Sequence, residues 1–228
     1  MPTLLAIGAH YDDCVFGVPG ILLQAVRKHY RVVIAALIGD YSNWAPIGDR
    51  RQELLEGATR ISKDYGVEMR YLGFRSHQFD VNLETRRAVA ALVADIQPQV
   101  AFLLWRHDHH DDHQVASQLS EIALKYASPV LDKRPAPAPR RMYWFDNGPR
   151  HTIGFEPDTF VDVTSEWDRS LEWLGRFMAL VRNQPYQPGS LDGAQKAKQT
   201  LAAWRGQACG VAYAEAVRSL HPYPREVL

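Results

Sequence analysis

The sequence predicts an α/β fold, a doubly wound and mostly parallel sheet with helices on both faces, built as a single domain over residues 1–228. Three observations carry this. Short β-branched runs alternate with segments of helical period in the first half of the chain, which is the pattern of βαβ units. The strand-like runs are apolar at nearly every position instead of every second one, as strands covered on both faces are. With 46% hydrophobic residues among 228, the chain also has enough apolar surface for one sizeable core.

Taken in order, Thr3–Gly8 reads as the first strand and residues 16–28 as the first helix. Residues 31–38 hold the run VVIAALI and form the second strand, residues 49–65 have helical spacing, and residues 67–72 supply the third strand. After a loop containing Phe79 and Asp80, Leu83–Ile96 reads as a helix that stops ahead of Pro98. Residues 99–105 give a fourth strand, and the next helix begins near His113. The run KRPAPAPRR at 133–141 is too rich in proline for a helix or a central strand, so it is a loop internal to the domain. Residues 142–145 and 159–163 read as short strands, and residues 167–182 and 194–205 as helices.

Lys+Arg and Asp+Glu number 26 each, and no long run of one sign marks a nucleic-acid or membrane surface, so a small molecule is the favoured partner. Two cysteines, Cys14 and Cys209, are too few for a disulfide framework. The opening MPTLLAIGAH has no basic stretch followed by an apolar one, and a cytoplasmic location is expected. The apolar stretch at residues 32–39 is far short of the roughly 20 residues a spanning helix needs. A homo-oligomer is compatible with all of this.

In a doubly wound sheet the first and fourth strands lie side by side where the strand order reverses, and ligands bind beyond their carboxyl ends. His10, Asp12 and Asp13 follow the first strand, and His107 to His113 follow the fourth. The fold therefore brings two polar loops together. Catalytic zinc takes imidazole and carboxylate ligands, usually three from protein, with a position left for water. His10, Asp13 and His113 could supply them, for one ion per chain, and other divalent metals suit the same donors.

A carboxylate beside a ligand can take the proton of a water attacking a carbonyl, and Asp12 fits that role. The oxyanion of an amide under attack needs a donor, for which His110 is the candidate. Asp108 or Asp112 could accept the other ring proton of a ligating histidine, with the pairing left open. The plainer alternatives are that Asp12 and Asp13 cap a helix and that HDHHDDH is a solvated turn. Two such clusters at one end of a sheet favour a site.

These residues carry a resemblance. AHYDDC at 9–14 resembles the AHPDDE signature of the LmbE-like, or PIG-L-type, de-N-acetylases, and DHHDDH at 108–113 resembles their D-x-H-P-D-H. Arg50 and Glu53 in an R-x-x-E segment, LGF at 72–74, PDTFVDVT at 157–164 and AYAEAV at 212–217 extend it along the chain. The resemblance implies a Rossmann-like sheet and a zinc hydrolase that deacetylates N-acetylglucosamine conjugates or related amides. It implies His10, Asp13 and His113 as ligands, Asp12 as base, His110 as the residue stabilising the tetrahedral intermediate, and Arg50 as a substrate contact.

The chain departs from that pattern at Tyr11, Cys14 and Asp111, none of them a proposed ligand. Cys14 sits at a family position that is not a ligand and reads as a small buried hydrophobe. After LGF, Arg75, Ser76 and His77 stand where the family often has an acidic sugar contact, which bears on substrate identity. Asp80 could replace that contact, Tyr41, Trp44 and Phe79 are candidate rim aromatics, and His221 reads as structural. Two rival classes remain. The literal DHH at 108–110 matches manganese phosphoesterases, although the glycine-rich second domain those carry is not evident, and a non-catalytic metal or sugar binder is the other.

Overall fold

The computed structural model describes residues 1–132 and 135–224, so Lys133 and Arg134 of the proline-rich stretch lie outside the described residues. Its strands are β1 (Thr3–Gly8), β2 (Arg31–Asp40), β3 (Val67–Arg75), β4 (Val100–Leu104), β5 (Arg141–Phe145), β6 (Thr159–Asp162) and β7 (Ala214–Ser219). They form one seven-stranded sheet in the order β3-β2-β1-β4-β5-β7-β6. The first five are parallel to one another, and β7 runs antiparallel to both β5 and β6. All of β1 is buried, as is β2 apart from its two ends. Helices on both faces explain why these runs show no polar alternation.

The helices are α1 (Asp13–Gly17), α2 (Pro19–Arg27), α3 (Arg51–Asp64), α4 (Leu83–Ile96), α5 (Asp111–Val130), α6 (Trp167–Val181) and α7 (Gly193–Cys209). Leu4 pairs with Val100 and Ile7 with Leu103, so β1 and β4 are neighbours and the strand order reverses between them. The loops that leave these two strands therefore open on the same edge. Among the described residues no helix is long and apolar enough to cross a membrane.

The helix expected over residues 16–28 is two helices. Pro19 has no N–H to continue the first, and Val18 leaves helical geometry at φ −137° before Pro19 opens α2 at its first position. The exposed backbone groups at this break are met from far away in sequence. The Glu215 carboxylate on β7 accepts the N–H groups of Gly20 at 3.0 Å and Ile21 at 2.9 Å. Lys198 on α7 donates to the Gly17 carbonyl at 2.9 Å and pairs with Glu215 at 2.9 Å. Strand β7 is not among the sequence expectations, because Glu215 interrupts its apolar character while facing a helix terminus instead of water.

Glu215 and Lys198 are both buried. Glu215→Ala leaves an unpaired ammonium and two uncapped N–H groups in the interior, and is expected to cost about 3–5 kcal/mol of stability. Urea unfolding measures it, and Glu215→Gln, which keeps an acceptor, loses less.

Candidate functional site

The end of β1 and the start of α1 are tied through Asp13. A β-carbon on Gly8 would lie 2.8 Å from the Asp13 β-carbon, so the glycine lets the strand end sit directly against that side chain. Asp13 then accepts the His10 backbone N–H at 2.7 Å. From the neighbouring strand, the chain beyond β4 turns into α5, and His113 in the first turn of α5 points back at the same place. His10 Nδ1 lies 3.2 Å from His113 Nε2 and 3.6 Å from Asp13. His113 Nε2 lies 3.2 Å from the other Asp13 oxygen.

These three side chains could hold a metal, with donor atoms gathered in one small triangle. A tetrahedral ion with bonds of about 2.1 Å has ligand-to-ligand edges of about 3.4 Å, and the separations here, taken over both Asp13 oxygens, are 3.2, 3.2 and 3.6 Å. The atoms behind the triangle are also held. His113 Nδ1 faces Asp108 at 3.1 Å, and His10 Nε2 faces Asp112 at 3.2 Å, which is the pairing left open above. Asp13 takes a further hydrogen bond from the Asn147 amide at 2.7 Å.

The local electrostatics call for positive charge. Burial alone would lower the His10 pKa, but the Asp13 charge and the Asp112 hydrogen bond raise it to about 9. His113 likewise rises against its burial to about 10, through Asp13 and Asp108. Burial would raise Asp13 and Asp108, yet the histidines hold both well below the usual carboxylate range. A divalent cation would supply the charge that the two protonated imidazoles otherwise supply.

Asp12 sits at the N-cap position of α1 without a capping side-chain bond, so its carboxylate is not spent on the helix. It is half-buried in the wall of a cleft of about 560 Å³ that also exposes His10, Asp13, His110 and His113. Burial, with the Asp13 charge adding to it, pushes Asp12 up to about 6. His110 stacks on His113 with centroids 4.7 Å apart, and its backbone N–H is held by Asp108 at 2.8 Å. Burial and the facing charge of His10 lower His110 to about 4, leaving a neutral imidazole at neutral pH.

Four further contributors come from other strand ends on the same edge. Beyond β5, the turn Asn147-Gly148-Pro149 carries Asn147 to Asp13, and His151 reaches within 3.7 Å of Asp108. This loop is fixed by backbone pairing, with His109 N–H on the His151 carbonyl at 2.8 Å. Beyond β3, Ser76 Oγ–H and the His77 N–H donate to Asp112, both at 2.8 Å. Strand β3 runs three residues past its expected end because Gly73, at φ 79°, lets it bulge against β2 and continue to Arg75. The segment holding Arg75, Ser76 and His77 thus grips the carboxylate behind His10. The Asn-Gly-Pro turn after a parallel strand was the available signal for Asn147. Nothing local marks Ser76.

The remaining candidates divide between the cleft and its surroundings. Arg50 is not among the residues lining the cleft: its guanidinium bonds Glu53 at 3.0 Å and the Leu180 carbonyl at 3.1 Å, at the end of α6. Cys14 is fully buried, which pushes its thiol well above the usual range, and among the described residues it belongs to none of the groups able to hold a metal. Tyr41 and Trp44 line the cleft, whereas Phe79 stacks on Phe74 and neither Asp80 nor His221 reaches it. Tyr11 packs between Tyr41 and Phe177 in the cleft floor.

Groups that orient metal ligands commonly govern affinity by ten- to a hundred-fold. If the triad holds a divalent cation, Asn147→Ala and Asp108→Ala are each expected to weaken its binding by about that factor, read by titration against a competing chelator.

A family model described as PIG-L, GlcNAc-PI de-N-acetylase, matches residues 5–124. Among solved structures, N,N'-diacetylchitobiose deacetylase from Pyrococcus horikoshii is 18% identical with a TM-score of 0.75, over 96% of this chain and 83% of that one. The conserved protein TT1542 from Thermus thermophilus is 22% identical with a TM-score of 0.80, over 100% and 98%. GalB, the 4-carboxy-2-hydroxymuconate hydratase from Pseudomonas putida, is 18% identical with a TM-score of 0.79, over 100% of both chains. At these identities the likeness is one of fold.

Proposed function

The chain belongs to the PIG-L, GlcNAc-PI de-N-acetylase, family, and from that premise we propose that it is a zinc-dependent hydrolase removing an acetyl or related acyl group from the nitrogen of an amino-sugar conjugate or similar amide. The observation that carries this is the convergence of His10, Asp13 and His113 beside Asp12 and His110 in one cleft. A divalent cation held by the three ligands would polarise the amide carbonyl and make water a stronger acid.

The chain's own residues do the rest. Asp12 takes a proton from the attacking water as its oxygen bonds to the carbonyl carbon, and returns it to the amine nitrogen as the C–N bond breaks. His110, neutral, donates a ring N–H to the oxyanion. Asp108 and Asp112 hold the two imidazoles in orientation, and Asn147 holds Asp13. The mixed wall of the cleft, with Phe16, Trp44, Leu174 and Met178 opposite the polar edge, suits a substrate with an apolar or ring-shaped part.

A manganese phosphoesterase is not favoured, since Asp108 of the DHH triplet faces His113 and His151 instead of presenting to the cleft as an isolated ligand. One observation favours a second reading. Arg150 lines the cleft and has no ion-pair partner among the described residues, which suits a carboxylate on the substrate. Water addition to an unsaturated carboxylate, the activity named for the Pseudomonas putida neighbour, would use the same base.

The test is a parallel assay with zinc of N-acetylglucosamine derivatives for acetate, an unsaturated carboxylate for loss of its absorbance, and a phosphodiester for its leaving group. Acetate release alone is expected. Loss of absorbance without acetate release would replace the amide reading with the hydratase one.

A further inference from the structure

Two of the residues that set this chain apart from the family pattern meet in space. His77, one of the three residues Arg75, Ser76 and His77 in the segment where the family often has an acidic residue, has its Nδ1 2.7 Å from the oxygen of Asp111, which stands in place of proline. His110 Nδ1 lies 3.4 Å from the same Asp111 oxygen, is buried, and has no hydrogen-bond partner among the described residues. The His77 and His110 rings stack with centroids 5.0 Å apart. With Asp112, these side chains offer donor atoms that all lie within 4.8 Å of one another. The oxygens of Asp112 are already taken by Ser76, His10 and the His77 N–H.

We propose that His77, His110 and Asp111 form a second divalent-cation site at the mouth of the cleft, beside the His10, Asp13 and His113 triad. Two imidazoles and a carboxylate select the same borderline cations as the triad, zinc foremost. The plainer alternative is a surface ion pair of His77 with Asp111, which contributes little and leaves the buried His110 nitrogen without a role. Side-chain exposures of 54% for His77 and 65% for Asp111 make this the weaker of the two sites, because water competes for the donors. A cation on Nδ1 anchors the His110 ring towards Asp111 and takes away its freedom to turn to the oxyanion, so excess zinc inhibits. That consequence rests on the proposed function, whereas the site itself does not.

The metal-stripped full chain is titrated with zinc by calorimetry, in parallel with acetate release. Two binding events are expected, one tight and one weaker. His77→Ala and Asp111→Pro should keep the tight event and weaken the other at least tenfold, with proline tolerated because residue 111 is the first of α5. Turnover of the natural sequence should rise to one equivalent of zinc and fall beyond it, while both variants hold a plateau. A single event, or a second event unchanged in both variants, would overturn the site. Two events with no fall in turnover would overturn the inhibition. An absence of acetate release from every substrate would count against the proposed function, and calorimetry would still decide the site.

Discussion

Asp12→Asn should lower acetate release by about 10²–10⁴-fold, the range by which a positioned base accelerates proton transfer, without loss of the zinc equivalent proposed for His10, Asp13 and His113. The expectation follows from a separation of duties within one short turn. Asp13 is enclosed by His10, His113 and Asn147, whereas Asp12 makes no capping bond and faces the cleft. An amide at position 12 fits the same space and cannot accept a proton from water. Elemental analysis with single-substrate kinetics reads both halves. Lost turnover with lost zinc would make Asp12 part of the ligand set, and retained turnover would remove it from the reaction.

His113→Ala should abolish the tight zinc equivalent together with activity. This imidazole is 2% exposed and faces Asp13 with one nitrogen and Asp108 with the other, so no solvent-borne group can replace it. The substitution leaves two carboxylates facing a void, and some thermal stability should go with it. The sheet should persist, because its core of β1, β2 and β4 is formed by buried apolar residues. Circular dichroism checks the fold, and calorimetry should retain only the weaker event. A tight equivalent that survives would mean that the triad is not the metal centre.

Much of this was legible in the amino-acid order because it depends on local pattern. Thr3–Gly8 and Leu83–Ile96 fall where apolar runs and helical spacing put them, and the reversal of strand order brings the loops after β1 and β4 together. What was hidden depends on contacts between distant segments. Glu215 looks like a break in an apolar strand until the free N–H groups of Gly20 and Ile21 are seen against it. Ser76 and Asn147 are unremarkable polar residues that matter through Asp112 and Asp13, 36 and 134 residues away. Arg50 is a further case: its R-x-x-E pattern resembles the family's, and only the fold shows that its guanidinium meets the Leu180 and Val181 carbonyls, next to Arg182 of the cleft lining.

The central claim is that a cation held by His10, Asp13 and His113 is required for amide hydrolysis in this cleft. It is tested most directly by measuring acetate release from N-acetylated amino sugars with chelator-stripped protein as zinc is returned. Turnover absent at the start and rising in proportion to the first equivalent is the expected result. Full acetate release from the stripped protein would contradict it.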